Sequence, residues 1–169
     1  MTERPSAFER LSVAVGSSDL TMDTIHRGDL DFIVALGIAS ARNGAVAGSL
    51  MRLHLASTPA ALKTAYASVL NLVKKFNAKK NWRLAGRSMQ VVALQALSHH
   101  IVPVCQHCHG RKFELIEGAP ALSAKVCKHC HGTGRRPIQK KHREHIEAVI
   151  AALEQIDAVT ERAVARLVR

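Results

Sequence analysis

The residues in this sequence that are best suited to chemistry are four cysteines, arranged as two Cys-x2-Cys pairs with eighteen residues between the pairs. A two-residue gap lets both sulfurs of a pair reach one ion at about 2.3 Å, and the overall spacing is typical of paired zinc knuckles. Four thiolates complete a tetrahedron around zinc, so no position stays open for water or substrate. The pattern therefore predicts one structural Zn²⁺, bound by Cys105, Cys108, Cys127 and Cys130.

The two cysteine pairs stand in similar contexts, since residues 105–110 read CQHCHG and residues 127–132 read CKHCHG. Each segment has a glycine two residues after its second cysteine, where a left-handed backbone helps the chain turn around a metal. The repeats differ further on, where Lys112 stands in place of Gly134. Imidazole is also a good zinc ligand, so a mixed cysteine and histidine site stays open as an alternative. The histidines concerned are His107, His109, His129 and His131.

Two other kinds of cysteine chemistry are less consistent with this sequence. A redox Cys-x2-Cys motif normally lies at a helix N-terminus in a βαβ unit, and no such strands are predicted here. A hydrolytic zinc enzyme needs an open metal position and a positioned glutamate, and nothing fixes Glu114 or Glu117 near the metal. We therefore expect no enzymatic activity.

The net charge of the chain is strongly positive, at +11 with a sequence pI near 10.1. Four thiolates and one Zn²⁺ would lower this charge only to about +9, so a polyanionic partner is expected. No stretch approaches the ~18 consecutive apolar residues of a membrane span, and the N-terminus lacks the apolar segment of a signal peptide. Together with the paired cysteines, these features favour a reducing cytoplasm.

The composition favours packed helices. Apolar residues make up 47% of the chain and aromatic residues only 4%, so Ala, Val, Leu and Ile must fill the core. We expect a mainly α fold in four parts: a flexible leader (1–27), a helical core (28–104), zinc-binding knuckles (105–134), and a basic helix that continues into a long C-terminal helix (135–169).

Local signals divide the helical core into elements. A run rich in small residues over 30–55 predicts closely packed helices with a turn at Asn43-Gly44. Thr58 can cap a helix whose first position is Pro59, and residues 86–101 form a second, central helix. The predicted apolar positions are Leu62, Tyr66, Val69, Val73 and Phe76 in the first helix, and Met89, Val91, Val92, Leu94, Ala96, Leu97 and Ile101 in the second.

The C-terminal region predicts an unusually long helix. Pro103 ends the central helix, and from Pro137 to Arg169 there is no further proline or glycine. One helix of up to 33 residues, roughly 50 Å long, is therefore predicted. A helix of this length needs a partner, so it either packs back across the core or projects and pairs as a coiled coil.

Basic residues cluster at the start of this predicted helix. A buried central helix, a connection and then a basic helix is the order of a helix-turn-helix, with the turn here replaced by the zinc loop. Arginine and glutamine can contact guanine and adenine edges in pairs of hydrogen bonds, whereas lysine reaches phosphates. The predicted DNA contacts are Arg135, Arg136, Gln139, Lys140, Lys141 and Arg143, with a second group at Lys79, Lys80, Arg83 and Arg87.

Taken in order, these motifs resemble those of the Q proteins, the late-gene antitermination proteins of lambda-like bacteriophages. The similarity covers roughly residues 29–150. It includes an Ala/Gly-rich first helical stretch, a Lys-rich linker before MQVVALQAL (89–97), the CHGTG sequence of the second knuckle (130–134), and GRRP (134–137) leading into a basic helix.

The resemblance implies a DNA-binding regulator with no catalytic step. Such a protein binds double-stranded DNA at a late promoter and engages paused bacterial RNA polymerase together with its initiation factor sigma. It then lets the polymerase read through terminators, in the cytoplasm of the bacterial host. The family also implies a helix-turn-helix interrupted by a zinc-binding insertion, with the basic residues after Cys130 facing DNA.

Two alternatives come from other classes of protein. Cys-x-x-Cys-x-Gly-x-Gly repeats also mark the zinc region of Hsp40 co-chaperones, but those proteins carry four repeats around two zinc ions. This chain has two repeats, and its flanking segments are helical and basic. A sequence-neutral RNA-binding protein is the second alternative, because a basic surface alone does not distinguish RNA from DNA.

Overall fold

The computed structural model describes residues 29–115 and 122–167, and within these ranges the chain is mainly helical, as predicted. The predicted leader lies outside the described residues. The described elements are α1 (Asp29–Arg42), α2 (Ala45–Ala56), α3 (Pro59–Lys79), α4 (Gly86–Ile101), β1 (Phe113–Leu115), β2 (Leu122–Val126), a 3-10 turn (Lys140–His142) and α5 (Arg143–Leu167). None of the described helices has the length and apolar character required to cross a membrane.

The helix boundaries in the first half of the chain follow the local signals. The chain turns between α1 and α2 at Asn43-Gly44, where Gly44 has a φ of 96° that favours glycine. At the start of α3, the hydroxyl oxygen of Thr58 accepts a hydrogen bond of 3.2 Å from the backbone N–H of Ala61. Pro59 occupies the first turn, where its missing N–H costs no helical bond.

The main core is formed where α4 and α5 pack against α2 and α3. The C-terminal helix therefore packs back across the core. Of the two arrangements expected for a helix of this length, this is the first, and the helix does not project from the core as one strand of a coiled coil. Its residues Ile146, Val149 and Leu153 are fully buried. They share one cluster with buried side chains of the other helices, namely Leu50, Leu53, Ala65, Val69, Val73, Val92, Ala93, Ala96 and Leu97.

Two of the predicted apolar positions in α3 and α4 are exposed. Leu62 is 47% exposed, and Ala65 instead fills the corresponding buried position of α3. Leu94 in α4 is 57% exposed, although it is spaced three residues from both Val91 and Leu97. Spacing alone does not show where a core ends, because the packing of neighbouring helices determines which apolar positions are covered.

The first helix packs against the far end of the last one. Leu36 and Ala39 in α1 are buried together with Val164 in α5. Asn43 adds a polar contact, because its side-chain amide donates a hydrogen bond of 3.0 Å to the hydroxyl of Thr160. The long C-terminal helix therefore contacts both the central helix and α1.

The start of the C-terminal helix differs from the prediction, since α5 begins at Arg143 and not at Pro137. The backbone N–H of Arg136 donates to the carbonyl of Pro103, and that of Gln139 donates to the side-chain oxygen of Gln95. These bonds tie residues 136–139 to α4 and to the residues that follow it. Arg135, Arg136 and Gln139 are therefore not on a helix.

A second difference lies between the cysteine pairs, where β1 and β2 form an antiparallel ribbon that was not predicted. The two strands are only three and five residues long. Such short strands carry little periodicity, and here the neighbouring cysteine turns bring them together.

Candidate metal centre

The four cysteines form one compact, buried cluster. Their sulfur atoms all lie within 4.8 Å of one another, and the Sγ atoms of Cys108 and Cys130 are 3.7 Å apart. A tetrahedral ion with bonds of about 2.3 Å to sulfur requires separations of about 3.8 Å between its ligands. The cysteines are therefore positioned to hold one metal ion, and their sulfur donors suit zinc.

The two knuckles are related by an approximate two-fold arrangement, in which each residue of the first corresponds to a residue 22 positions later. The backbone N–H of Cys105 donates to the carbonyl of Gly134 at 2.8 Å, and that of Cys127 donates to the carbonyl of Lys112 at 2.9 Å. The β-bridge between Val104 and Arg135 has its counterpart in the pairing of Val126 with Phe113. Each knuckle is thus closed by the chain that leaves the other, so neither can form its full set of bonds alone.

Both knuckles turn through the same left-handed backbone. His109 and Gly110 have φ values of 48° and 80°, and their counterparts His131 and Gly132 have 51° and 78°. In each turn the backbone N–H three residues after the second cysteine donates to that cysteine's carbonyl. The repeated glycine seen in the sequence therefore serves the same turn in both halves.

The sequence difference between the repeats has a steric cause. Lys112 and Gly134 occupy equivalent positions with φ values of 70° and 73°. A Cβ atom on Gly134 would lie 2.7 Å from the carbonyl oxygen of Gly110 and 3.2 Å from Cγ of Lys112. Because the two positions face each other, there is room for only one side chain, and Lys112 provides it.

The electrostatic environment differs between the sulfurs of Cys108 and Cys130. Burial raises the pKa of the Cys108 thiol to about 11. Burial also acts upward on Cys130, but hydrogen bonds from the backbone N–H of Gly134, from Cys108 and Cys127, and from the N–H of Gly132 lower its pKa to about 6. The N–H of Gly134 lies 3.3 Å from the Cys130 sulfur. A divalent cation at the centre would favour the thiolate form of all four cysteines, so metal binding should release protons.

The four neighbouring histidines lie outside this cluster. The rings of His107 and His129 are inclined at 44° with centroids 3.9 Å apart, and all four histidines are exposed. Among the described residues, the side chains that lie close enough together to share one metal ion are those of the four cysteines, and no histidine is among them. The geometry therefore favours the four-sulfur ligand set over the mixed one.

The two basic groups predicted from the sequence meet near the start of α5. The ring of Trp82, in the linker before α4, lies edge to face with the ring of His145, with centroids 4.8 Å apart. The ammonium group of Lys80 lies 5.6 Å from the centre of the Trp82 ring and 5.0 Å from that of Phe76. Trp82 is half-buried and packs at the edge of the core, and it joins the linker to the first turn of α5.

Nearly all the predicted DNA contacts are accessible, with Arg136 as the exception. Arg136 is half-buried, and its guanidinium donates a hydrogen bond of 3.2 Å to the backbone carbonyl of Ser98. It lines a cavity of about 430 Å³ beside the second knuckle, together with Arg135, Arg143 and two acidic residues of α5. The exposed members are Lys79, Lys80, Arg83, Arg87, Arg135, Gln139, Lys140, Lys141 and Arg143.

Sequence reasoning missed the residues that join these segments. Gln95 and Ser98 hold the chain from Arg136 to Gln139 along α4, and His145 meets Trp82 from 63 positions away. No local pattern indicates such contacts, because each partner belongs to a different element.

No family model, no curated protein and no solved structure matches the chain.

Proposed function

We propose that this protein is a zinc-containing regulator that binds double-stranded DNA through one basic surface, formed by residues 79–87 and 135–143. Four of the nine residues in the first segment and five of the nine in the second are Lys or Arg, and neither segment contains Asp or Glu. Trp82, in the first segment, contacts His145, two residues after the second segment, so the two segments lie close together. The eight exposed cations that these segments carry are the observation on which the proposal rests, because neutralising phosphates supplies much of the affinity for DNA.

In this proposal the cysteine cluster has a structural role. Four sulfur ligands leave no coordination position for a reactant, and a bound Zn²⁺ would supply the charge that keeps the four thiolates together. The bonds of Cys105 to Gly134 and of Arg136 to Pro103 then fix the path of the chain that leaves the second knuckle. The basic residues 135–143 are held in place by this path, so loss of the metal should also weaken DNA binding.

More specifically, we propose a late-gene antitermination factor of the bacteriophage Q type. The order of motifs supports it, namely a central helix, a cysteine-rich insertion, and a basic segment leading into a further helix. The packing of α4 against α5 is consistent with a helix-turn-helix in which the insertion replaces the turn. Paused bacterial RNA polymerase, with its sigma factor, would be the protein partner.

The proposal is tested by measuring the affinity for duplex DNA of random sequence at several salt concentrations, using fluorescence anisotropy. If about five phosphates are neutralised, the logarithm of the affinity should fall with the logarithm of salt at a slope of about −4.5. Replacing both exposed lysines of the 3-10 turn, Lys140→Ala with Lys141→Ala, should reduce this slope to about −2.7.

Lys63→Ala is the matched control, because Lys63 is exposed on α3 but lies 16 residues, about 24 Å, before the basic end of that helix. It should leave the slope unchanged. Equal effects of the control and the double variant would show that binding is not located at this surface. Binding to single-stranded RNA and not to duplex DNA would favour the RNA-binding alternative, and a terminator read-through assay with bacterial polymerase tests the specific proposal.

A further inference from the structure

The outward face of α4 continues from Arg87, a predicted DNA contact, to residues for which the sequence predicted no function. Arg87, Gln90 and Leu94 are all exposed, and their spacing of three and four residues places them on one side of the helix. Leu94 is 57% exposed, more than any other large apolar side chain among the described residues of the protein. The opposite side of the same helix is fully buried in the core. Arg87, Gln90 and Leu94 therefore form a stripe that is rigidly supported by the core. The stripe ends in the side chain of Leu94, whose exposure the packing of the protein does not explain.

The charge around this stripe suits a polyanion. The sequence of α4 contains no Asp or Glu, Arg87 is its second residue, and Arg83 lies three residues before the helix. The first half of α5 is different, since Glu144, Glu147 and Glu154 are exposed there, whereas Arg162 and Arg166 are exposed only near the end of the helix. Phosphates would therefore be repelled by the first half of α5 but not by α4.

The extended segment after the second knuckle borders the same stripe. The guanidinium of Arg136 bonds to the carbonyl of Ser98, and the N–H of Gln139 bonds to the side chain of Gln95. Both partners belong to α4, so residues 136–139 run beside the helix and lead directly to Lys140. A duplex that contacts the basic surface therefore also meets the outward face of α4.

We propose that α4 is the element that reads base sequence, and that the basic residues around it anchor the phosphates. Arg87 is suited to guanine, Gln90 to adenine, and the exposed Leu94 to the methyl group of thymine. The stripe from Arg87 to Leu94 is about 10 Å long, and the major groove of B-DNA, about 12 Å wide, admits one helix. This assignment rests on the proposed DNA binding. It differs from the sequence-based expectation, and from the usual order of a helix-turn-helix, in which the helix after the turn makes the base contacts.

The test is a selection from random duplex DNA with the zinc-loaded full chain, followed by the same selection with Arg87→Ala, Gln90→Ala and Leu94→Ala. The wild-type protein should enrich one motif, and each variant should lose the preference at a different position of it. Each lost contact of Arg87 or Gln90 should reduce discrimination there by roughly 5- to 150-fold. The salt dependence of binding to random DNA should change much less with Gln90→Ala than with the Lys140 and Lys141 double variant.

Gln155→Ala is the matched control, since Gln155 is an exposed glutamine on α5, twelve residues beyond its start. It should leave the motif unchanged, and metal content and melting temperature verify that every variant is folded. If the wild-type motif persists in all three α4 variants, the reading role of α4 is refuted while DNA binding stands. A wild type that binds duplex DNA without enriching a motif also refutes the reading role, and a wild type that binds no duplex DNA refutes the proposed function itself.

Discussion

Gly134 is the position where one added methyl group tests the geometry of the metal centre most directly. Its backbone has a φ of 73°, and a Cβ atom there would lie 2.7 Å from the carbonyl oxygen of Gly110. That oxygen belongs to the backbone of the other knuckle, so it cannot move aside as a flexible side chain would. Gly134→Ala must therefore shift one knuckle relative to the other.

The size of the effect follows from two contributions. A left-handed backbone costs an L-residue roughly 1–2 kcal/mol, and relieving the contact with Gly110 requires a backbone shift of similar cost. We expect a total of about 2–4 kcal/mol. Because the cysteines form a binding site only when the knuckles are folded, this energy should weaken metal binding by roughly 30- to 700-fold. The hydrogen bond from the Gly134 N–H to the Cys130 sulfur, at 3.3 Å, should also be lost.

The assay is a competition for Zn²⁺ between the protein and a chelator of known affinity, combined with thermal melting. Lys112→Ala is the matched control, because this equivalent position already carries a Cβ at a φ of 70°. The control should bind zinc with nearly wild-type affinity. Gly134→Ala with wild-type affinity and melting would refute the interlocked arrangement of the two knuckles.

Four further changes test other parts of the structure. Cys127→Ser should lower the metal content below one ion per chain and weaken zinc binding by more than about 100-fold in the same competition; full retention of zinc would contradict the four-sulfur set. Leu153→Ala, at a fully buried position, should cost about 3 kcal/mol in urea unfolding. Thr58→Ala removes the α3 cap and should cost about 1 kcal/mol. Burial, followed by the charge of Arg135, lowers the pKa of His99, so its neutral form is favoured in the folded state. Stability should therefore fall as pH drops below about 6.5, and in urea titrations with saturating zinc His99→Gln should reduce that fall.

The sequence alone determined the features that depend on local chemistry. Two Cys-x2-Cys pairs with suitable spacing indicate one ligand cluster, because the required sulfur distances restrict the number of arrangements. The start of α3 at Pro59 and the bounds of α4 follow from a capping threonine, prolines and apolar periodicity, all of which act within a few residues. The positive charge and the low aromatic content likewise come directly from composition.

The tertiary structure decided the features that depend on distant residues. The chain after Pro137 contains no further proline or glycine, so its sequence suits a helix that starts there. Hydrogen bonds to Pro103 and Gln95 nevertheless hold residues 136–139 outside the helix. Leu94 continues an apolar line but is exposed, because the packing of the other helices determines where the core ends. Trp82 meets His145 only because α5 folds back across α4, and this contact brings the two basic segments together. Local sequence patterns carry no information on such pairings, since the energy that selects them comes from burying surfaces far apart in the chain.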